Sequence, residues 1–352
     1  MKAFFDLLIT VFVCLGSIIG AGFVSGSELV AFFGVANFWG VALVSCVLTA
    51  LCFCLVFSVA SSQNLTIVKR NLFGQSKLFN GANVVCNFLF FVSMIAGLDA
   101  VCNALSLFNG LPVLSFLSVV IISFFAKFGI KGLEKLNLYL MPLVIVIVLL
   151  CAFTADKGVQ VKGEKGGVVN AVLYCFLNTF VAMPVLFATA KGKSKKVLTL
   201  SAIIVAIVVF VLSVIILSVV SKNAHSLSSA MPFYLAVSSS PFSKWLALAL
   251  IIGAFTSGAS AYHPVYKAVK DRYGVWGVVF TGVSAFVFSR LGLTAIVKYV
   301  YPLIAGFGGL YLVKMAVYKF GIKDRLKAHN NLTIQKGNLL LCQKRIRKKK
   351  RL

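Results

Sequence analysis

The sequence predicts an all-α membrane protein with ten transmembrane helices. Of its 352 residues, 60% are hydrophobic and the mean hydropathy is +1.01. That is more apolar surface than a soluble chain of this length can bury in one core. Ten apolar stretches approach the ~20 residues that cross a hydrocarbon layer of ~30 Å. In chain order these segments are 4–33, 37–60, 79–107, 112–128, 136–154, 168–190, 197–220, 241–266, 275–291 and 294–318.

The charges between the segments support this division. With a cytoplasmic N-terminus, the inward connections hold fourteen Lys and Arg residues and the outward ones hold six. Positive charge collects on the cytoplasmic side of membrane proteins, so we expect a multi-pass protein of the cell (plasma) membrane with both termini inside. The basic tail, 319–352, is expected to be disordered and to attract anionic lipid rather than nucleic acid.

The first segment carries the least membrane-like stretch of the chain, residues 16–28. It combines four glycines and three serines with the acid Glu28. Two interpretations are open: close helix packing through glycines four residues apart, or an interrupted helix whose freed backbone groups face a binding cavity. Packing alone does not explain the serines and the acid, so we favour the interruption.

The arrangement of the later segments predicts an inverted repeat. The sixth segment holds an Asn178-Thr179 pair followed by Pro184, which favours a second interrupted helix. Segments three and eight both place small and polar residues in mid-span. Transporters built from two inverted five-helix halves have this layout. We therefore expect one transmembrane domain, 1–318, with halves at about 4–154 and 168–318 and with helices 1 and 6 broken.

Three ionisable residues lie at predicted membrane depth: Glu28, Asp99 and Lys298. Each costs at least ~2.5 kcal/mol at a helix centre, so gating or proton coupling is the first hypothesis for them. Glu28 either gates or anchors the helix near the outer interface. Asp99 neutralises a cationic substrate group, carries a proton, or pairs with Lys298. Lys298 alternatively lies at the outer end of the tenth segment.

Several short motifs carry a resemblance to a known family. They are residues 19–23 with Ser25, Gly26 and Glu28; 94–97; 130–133 with Asn137 and Pro142; Tyr174 with Asn178; 231–232; and 255–256. Through them the chain resembles, over about residues 1–318, the YkvI-like membrane proteins. That group is a branch of the amino acid–polyamine–organocation superfamily with the LeuT-type fold. The resemblance implies a substrate held between segments one, three, six and eight.

Site residues follow from this resemblance and from the chemistry of the matched positions. The backbone N–H groups of the first segment, at the start of a half-helix, suit a carboxylate. The resemblance also implies an all-oxygen sodium site at Gly16, Ile19, Gly253, Thr256 and Ser257, although serine and threonine also serve as ordinary interhelical hydrogen-bonders. The predicted substrate-binding residues are Ser17, Gly20, Ala21, Gly22, Phe23, Asp99, Tyr174, Asn178 and Thr179.

These features favour an ion-coupled secondary transporter of a small solute, an amino acid or related amine, driven by Na⁺ or H⁺ without another cofactor. The chain contains no phosphate-binding Gly-x-x-x-x-Gly-Lys loop and no His-Glu-x-x-His zinc motif. We therefore do not expect an enzyme. A channel or a non-transporting membrane sensor remains the alternative, because interrupted helices also line pores.

Overall fold

The computed structural model of the chain describes residues 2–61, 68, 72, 77–106, 111–156, 158 and 163–321, and these are almost entirely helical. Nearly all of the predicted basic tail, from 322 onward, lies outside the described residues. In chain order the helices are α1 (Lys2–Ile18), α2 (Ala21–Val24), α3 (Ser27–Phe33), α4 (Phe38–Ala60), α5 (Lys77–Ala104), α6 (Val113–Phe125), α7 (Gly129–Phe153), α8 (Val168–Thr189), α9 (Lys195–Val220), α10 (Pro232–Ala236), α11 (Ser243–Ser289) and α12 (Leu293–Gly321).

Seven of the described helices are long and apolar enough to cross a membrane. They read as near-continuous runs of Val, Leu, Ile and Phe because lipid and protein are both apolar neighbours, so neither face needs polar residues. The chain is thus a multi-pass membrane protein. The predicted first segment is not among the seven because it is divided into α1, α2 and α3, and α6, with 13 residues, is too short. The count of ten helices stays a prediction.

Predicted segments eight and nine both correspond to parts of α11, which consists of two helices that meet at a kink at Gly274, directly before the predicted start of segment nine at 275. Only Gly274 leaves helical geometry inside it, with φ +64° and ψ −151°. The basic residues Lys267, Lys270 and Arg272 are good helix formers, so a charged connection need not be an irregular one. Glycine takes the positive φ at the kink without strain.

The sixth predicted segment corresponds to α8, which is one helix from Val168 to Thr189. The prediction of a break there is wrong. Pro184 lies inside the helix and removes one backbone N–H. Asn178 bonds back to its own helix, its Nδ2 donating to the Tyr174 carbonyl oxygen at 3.0 Å. Neither residue opens the backbone.

The end of the first segment is hydrogen-bonded to the extended residues 164–166, which precede α8. The backbone N–H groups of Val35 and Ala36 donate to the Glu164 carbonyl oxygen at 3.1 and 3.2 Å, and that of Gly166 donates to the Phe33 carbonyl oxygen at 3.1 Å. Gly34, at the centre of this contact, has φ +67°. A Cβ added there would collide with the Glu164 carbonyl oxygen. This contact fixes the end of the first segment to the connection between the two predicted halves.

We expect Gly34→Ala to destabilise the protein by about 1–3 kcal/mol, the usual cost of a side chain forced into a left-handed backbone conformation. Thermal unfolding in detergent measures the effect. Gly40→Ala is the matched control, because no atom lies within 4 Å of a Cβ added at that helical position. Equal unfolding midpoints for both variants would contradict the role given to the Gly34 contact.

Candidate functional site

The first segment leaves helical geometry inside the protein, at Ile19 and Gly20. Helix α1 ends at Ile18, Gly20 is extended with φ −102° and ψ −172°, and α2 begins at Ala21. These residues are almost wholly buried. The helix that follows has only four residues, so it supplies much less macrodipole than the half-helix that the sequence suggested. Any carboxylate bound here would depend on individual N–H groups.

Helices α5 and α11 press against this interruption. A Cβ added at Gly20 would lie 2.7 Å from Met94 Sδ on α5 and 3.2 Å from Ser257 Cβ on α11. On α5, a Cβ added at Gly97 would collide with Ala21 Cβ. The glycines therefore allow close approach of three elements, and the first, third and eighth segments meet as predicted. Met94 belongs to the motif 94–97, but the sequence did not indicate its contact with Gly20.

A second interruption follows at Ser25 and Gly26. Gly26 has φ +80°, and the backbone N–H of Phe233, in α10, donates to the Ser25 carbonyl oxygen at 2.7 Å. The Gly22 carbonyl oxygen accepts from Ser25 Oγ at 3.1 Å and from Ser27 Oγ at 3.4 Å. The serines of the 16–28 stretch thus satisfy backbone groups that the helix no longer pairs.

The predicted cation-site residues come together between α1 and α11. Ser257 Oγ donates to the Gly16 carbonyl oxygen at 3.0 Å, and a Cβ added at Gly253 would lie 3.0 Å from the Ile19 carbonyl oxygen. Thr256 Oγ1 donates to the carbonyl oxygens of its own helix, Ile252 at 3.0 Å and Gly253 at 3.3 Å. All the donor atoms are neutral oxygens, the type that a hard monovalent cation prefers.

The predicted substrate residues of α8 lie beside α3. The Tyr174 ring contacts the rings of Phe32 and Phe33, with centroid distances of 5.6 and 4.8 Å. Tyr174, Asn178 and Thr179 are all buried. Thr179 Oγ1 contacts Cys175 Sγ at 3.9 Å. These side chains line the interior on an intact helix rather than on an opened one.

Ser17, another predicted substrate residue, has a local partner. Its hydroxyl donates to the Cys14 carbonyl oxygen of the same helix at 2.7 Å. This is the ordinary way in which a serine satisfies itself within a membrane helix. Phe23 is 1% exposed, within the core.

Glu28 is the buried acid of this region. It is 1% exposed in the first turn of α3, so it does not reach the interface, and the anchoring interpretation is not supported. A Cβ added at Gly22 would lie 2.8 Å from Glu28 Oε2. Oε1 has no hydrogen-bond partner in the described part of the chain, and neither has the Tyr174 hydroxyl.

Asp99 lies at the rim of a cavity of about 650 Å³ between the ends of α5 and α12. Its Oδ1 pairs with Arg290 Nη2 at 3.6 Å, and Ser289 Oγ donates to its Oδ2 at 3.3 Å. Lys298 lines the same cavity, is exposed, and has its Nζ 5.4 Å from the Tyr299 ring centroid. Among the described residues Asp99 pairs with Arg290 and not with Lys298, so the ion pair with Lys298, one of the three roles considered for Asp99, is not formed.

Comparison with known proteins identifies the fold. No protein-family model matches the chain, and no curated protein does. Among solved structures, MhsT in complex with L-phenylalanine is similar, with a TM-score of 0.53 and 17% identity over 88% of each chain. A manganese transporter of Eremococcus coleocola has a TM-score of 0.50 and 11% identity over 89% of this chain and 84% of its own. The chain has the LeuT-type fold that these transporters share.

Because Asp99 and Arg290 are 12% and 43% exposed, their ion pair should contribute less than ~1 kcal/mol. Arg290→Gln is therefore expected to lower the thermal midpoint slightly, and to have no further effect when Asp99→Asn is already present. Lys298→Gln should have the same effect in both backgrounds. Coupling of Asp99 to Lys298 in this double-mutant cycle, with none to Arg290, would contradict the pairing.

Proposed function

We propose that this protein is a secondary transporter that moves a small amine-bearing solute, an amino acid or a related amine, across the cell membrane by alternating access. The observation that carries the proposal is the interrupted backbone at Gly20, buried between α5 and α11 in the LeuT-type fold. Backbone freed inside a membrane is tolerated where it faces protein or a polar cavity, and transporters place their binding sites there.

The burial of this region supports a carrier rather than a channel. Gly20, Ala21, Gly22 and Phe23 are buried and contact their neighbours closely. A solute can reach them only when these helices separate, which alternating access requires and a permanently open pore does not. A channel or sensor remains the alternative that the transport assay below decides.

The chemistry around the interruption supports an amine-bearing cargo. The Glu28 carboxyl group lies beside Gly22 through Oε2, and its Oε1 has no partner among the described residues, so an ammonium group or a proton would satisfy it. The L-phenylalanine of the MhsT complex fits this class. Manganese, the cargo named for the other similar structure, fits less well, because the described residues contain no cluster of three His, Cys, Asp or Glu side chains.

Coupling to Na⁺ is proposed at Gly16, Ile19, Gly253, Thr256 and Ser257. An ion bound there would join α1 to α11 through both sets of oxygens. The residues fit a cation because Ser257 Oγ already contacts the Gly16 carbonyl oxygen, so a small reorientation of the hydroxyl proton would turn both oxygens toward one ion. A proton carried by Glu28 is the other coupling ion proposed.

Uptake by purified protein in liposomes tests the function. Labelled amino acids and amines are offered with imposed Na⁺ or H⁺ gradients, and we expect saturable, gradient-driven uptake of one class. Gly22→Leu should reduce uptake to background, because its side chain would meet the Glu28 carboxylate. Gly40→Leu, at a position with open space, is the control. Ion conductance without saturation or coupling would favour the channel.

Glu28→Gln separates the role of the carboxylate charge from its shape. A hydrogen bond to a charged group is worth ~1.5–3 kcal/mol, so uptake of an amine-bearing solute should fall roughly tenfold or more. The unfolding midpoint should not fall, since Oε1 has no partner among the described residues. Asp271→Asn, which removes an exposed acid of α11, is the control for loss of an acid. Wild-type uptake and pH dependence in Glu28→Gln would contradict the assignment.

A further inference from the structure

One buried side chain near the proposed cation site has no partner. Asn137, on α7, is 0% exposed, and neither its Nδ2 nor its Oδ1 has a hydrogen-bond partner in the described residues. Nearly all buried polar groups in proteins are paired, because an amide removed from water without a partner destabilises the fold. A native protein that keeps such a group has a use for it.

Two other buried amides of this protein are at least partly paired, although Asn87 Oδ1, like both polar atoms of Asn137, has no partner among the described residues. Asn178 and Asn87 each turn Nδ2 back to the carbonyl oxygen four residues earlier in their own helices, at 3.0 and 2.8 Å. Asn137 makes no such bond in the parts of the chain described. Its carboxamide is directed toward α1 instead.

Its neighbour there is Gly16. The three atoms nearest to a Cβ added at Gly16 are all from the Asn137 carboxamide, and that Cβ would collide with them. Only a glycine therefore leaves room for this side chain. The Gly16 carbonyl oxygen is the one that accepts from Ser257 Oγ, so Asn137 adjoins the residues to which the coupling cation is assigned.

We propose that Asn137 Oδ1 is a further ligand of the coupling cation, an inference that rests on the proposed coupling to Na⁺. This ligand would raise the neutral oxygen set from five to six and extend it from α1 and α11 to α7. No carboxylate belongs to this set, which favours a monovalent cation over a divalent one, since divalent sites rely on carboxylates. The cation would satisfy an amide that the protein leaves unpaired, and its release would free three helices.

Thermal unfolding of the full-length protein in detergent tests this without a transported solute. NaCl is titrated against choline chloride at constant ionic strength, and a cation that binds only the folded state raises the midpoint. Asn137→Leu removes the amide at similar volume. We expect it to be as stable as the wild type without Na⁺, because no bond is lost, while its apparent Na⁺ constant weakens by roughly tenfold or more.

Three further variants make the result specific. Ser257→Ala should weaken the Na⁺ response as a positive control. Asn87→Leu, which removes a buried amide on α5, should keep the wild-type Na⁺ constant. Asn137→Asp adds a carboxylate to the set and should introduce stabilisation by Ca²⁺ that the wild type lacks.

The outcomes that overturn the inference are distinct from failure of the transporter. If Asn137→Leu keeps the wild-type Na⁺ constant while Ser257→Ala loses it, Asn137 is no ligand and the cation site stands. If Asn137→Leu is strongly destabilised without Na⁺ and its Na⁺ constant is unchanged, the amide is structural. If the wild type shows no Na⁺ response, the sodium site and Asn137 as its ligand both fall, and H⁺-driven uptake would still support the transporter.

Discussion

The structure depends on how the backbone of residues 16–28 is satisfied once it leaves helical geometry. In a membrane interior the groups freed there cannot turn to water, so protein must pair them. Three carbonyl oxygens show how this is done: Gly16 accepts from Ser257, Gly22 from the nearby serines, and Ser25 from the Phe233 N–H. Two of these partners come from the second predicted half, so pairing the backbone also holds the halves together.

The polar groups of this region form two sets. Charged side chains lie at the rim of the cavity between α5 and α12, and mostly neutral groups surround the interruption. At the rim, Asp99, Arg290 and Lys298 border a cavity of about 650 Å³, where exposure weakens their mutual attraction. Around the interruption the polar groups are hydroxyls, carbonyls and amides, and Glu28 is the ionisable exception. A low effective dielectric makes one unpaired acid there far more influential than several at the rim.

The sequence was informative wherever composition alone decides the structure. Hydropathy placed α4 and α9 to within two residues, and the glycine and serine content of 16–28 indicated where the first segment leaves helical geometry. It failed where the outcome depends on three-dimensional partners. Pro184 and Asn178 look like a break in sequence, but the amide bonds to its own helix and the helix continues.

The sequence also did not indicate which polar side chains pair with each other. The charge of Arg290 is visible in sequence, but its position beside Asp99 depends on how α11 ends against α5. Lys298 has the same charge and lies on the same cavity, so sequence separation could not choose between them. Asn137 belongs to a family-like motif, yet only its missing hydrogen bonds point to a role. Unsatisfied groups are a property of packing and leave no mark in composition.

The proposed cation site and the proposed solute site share the first segment, and this gives their coupling a physical basis. The cation oxygens of Gly16 and Ile19 lie before and at the start of the interruption, while Gly22 and the Glu28 carboxylate follow it. An ion that joins α1 to α11 restricts the position of Gly20. A solute that binds Glu28 restricts the positions of α2 and α3. Each therefore alters the conformations open to the other, and the resulting linkage must be reciprocal in binding free energy. No separate signalling path is needed, because the residues that connect the sites are the interruption itself.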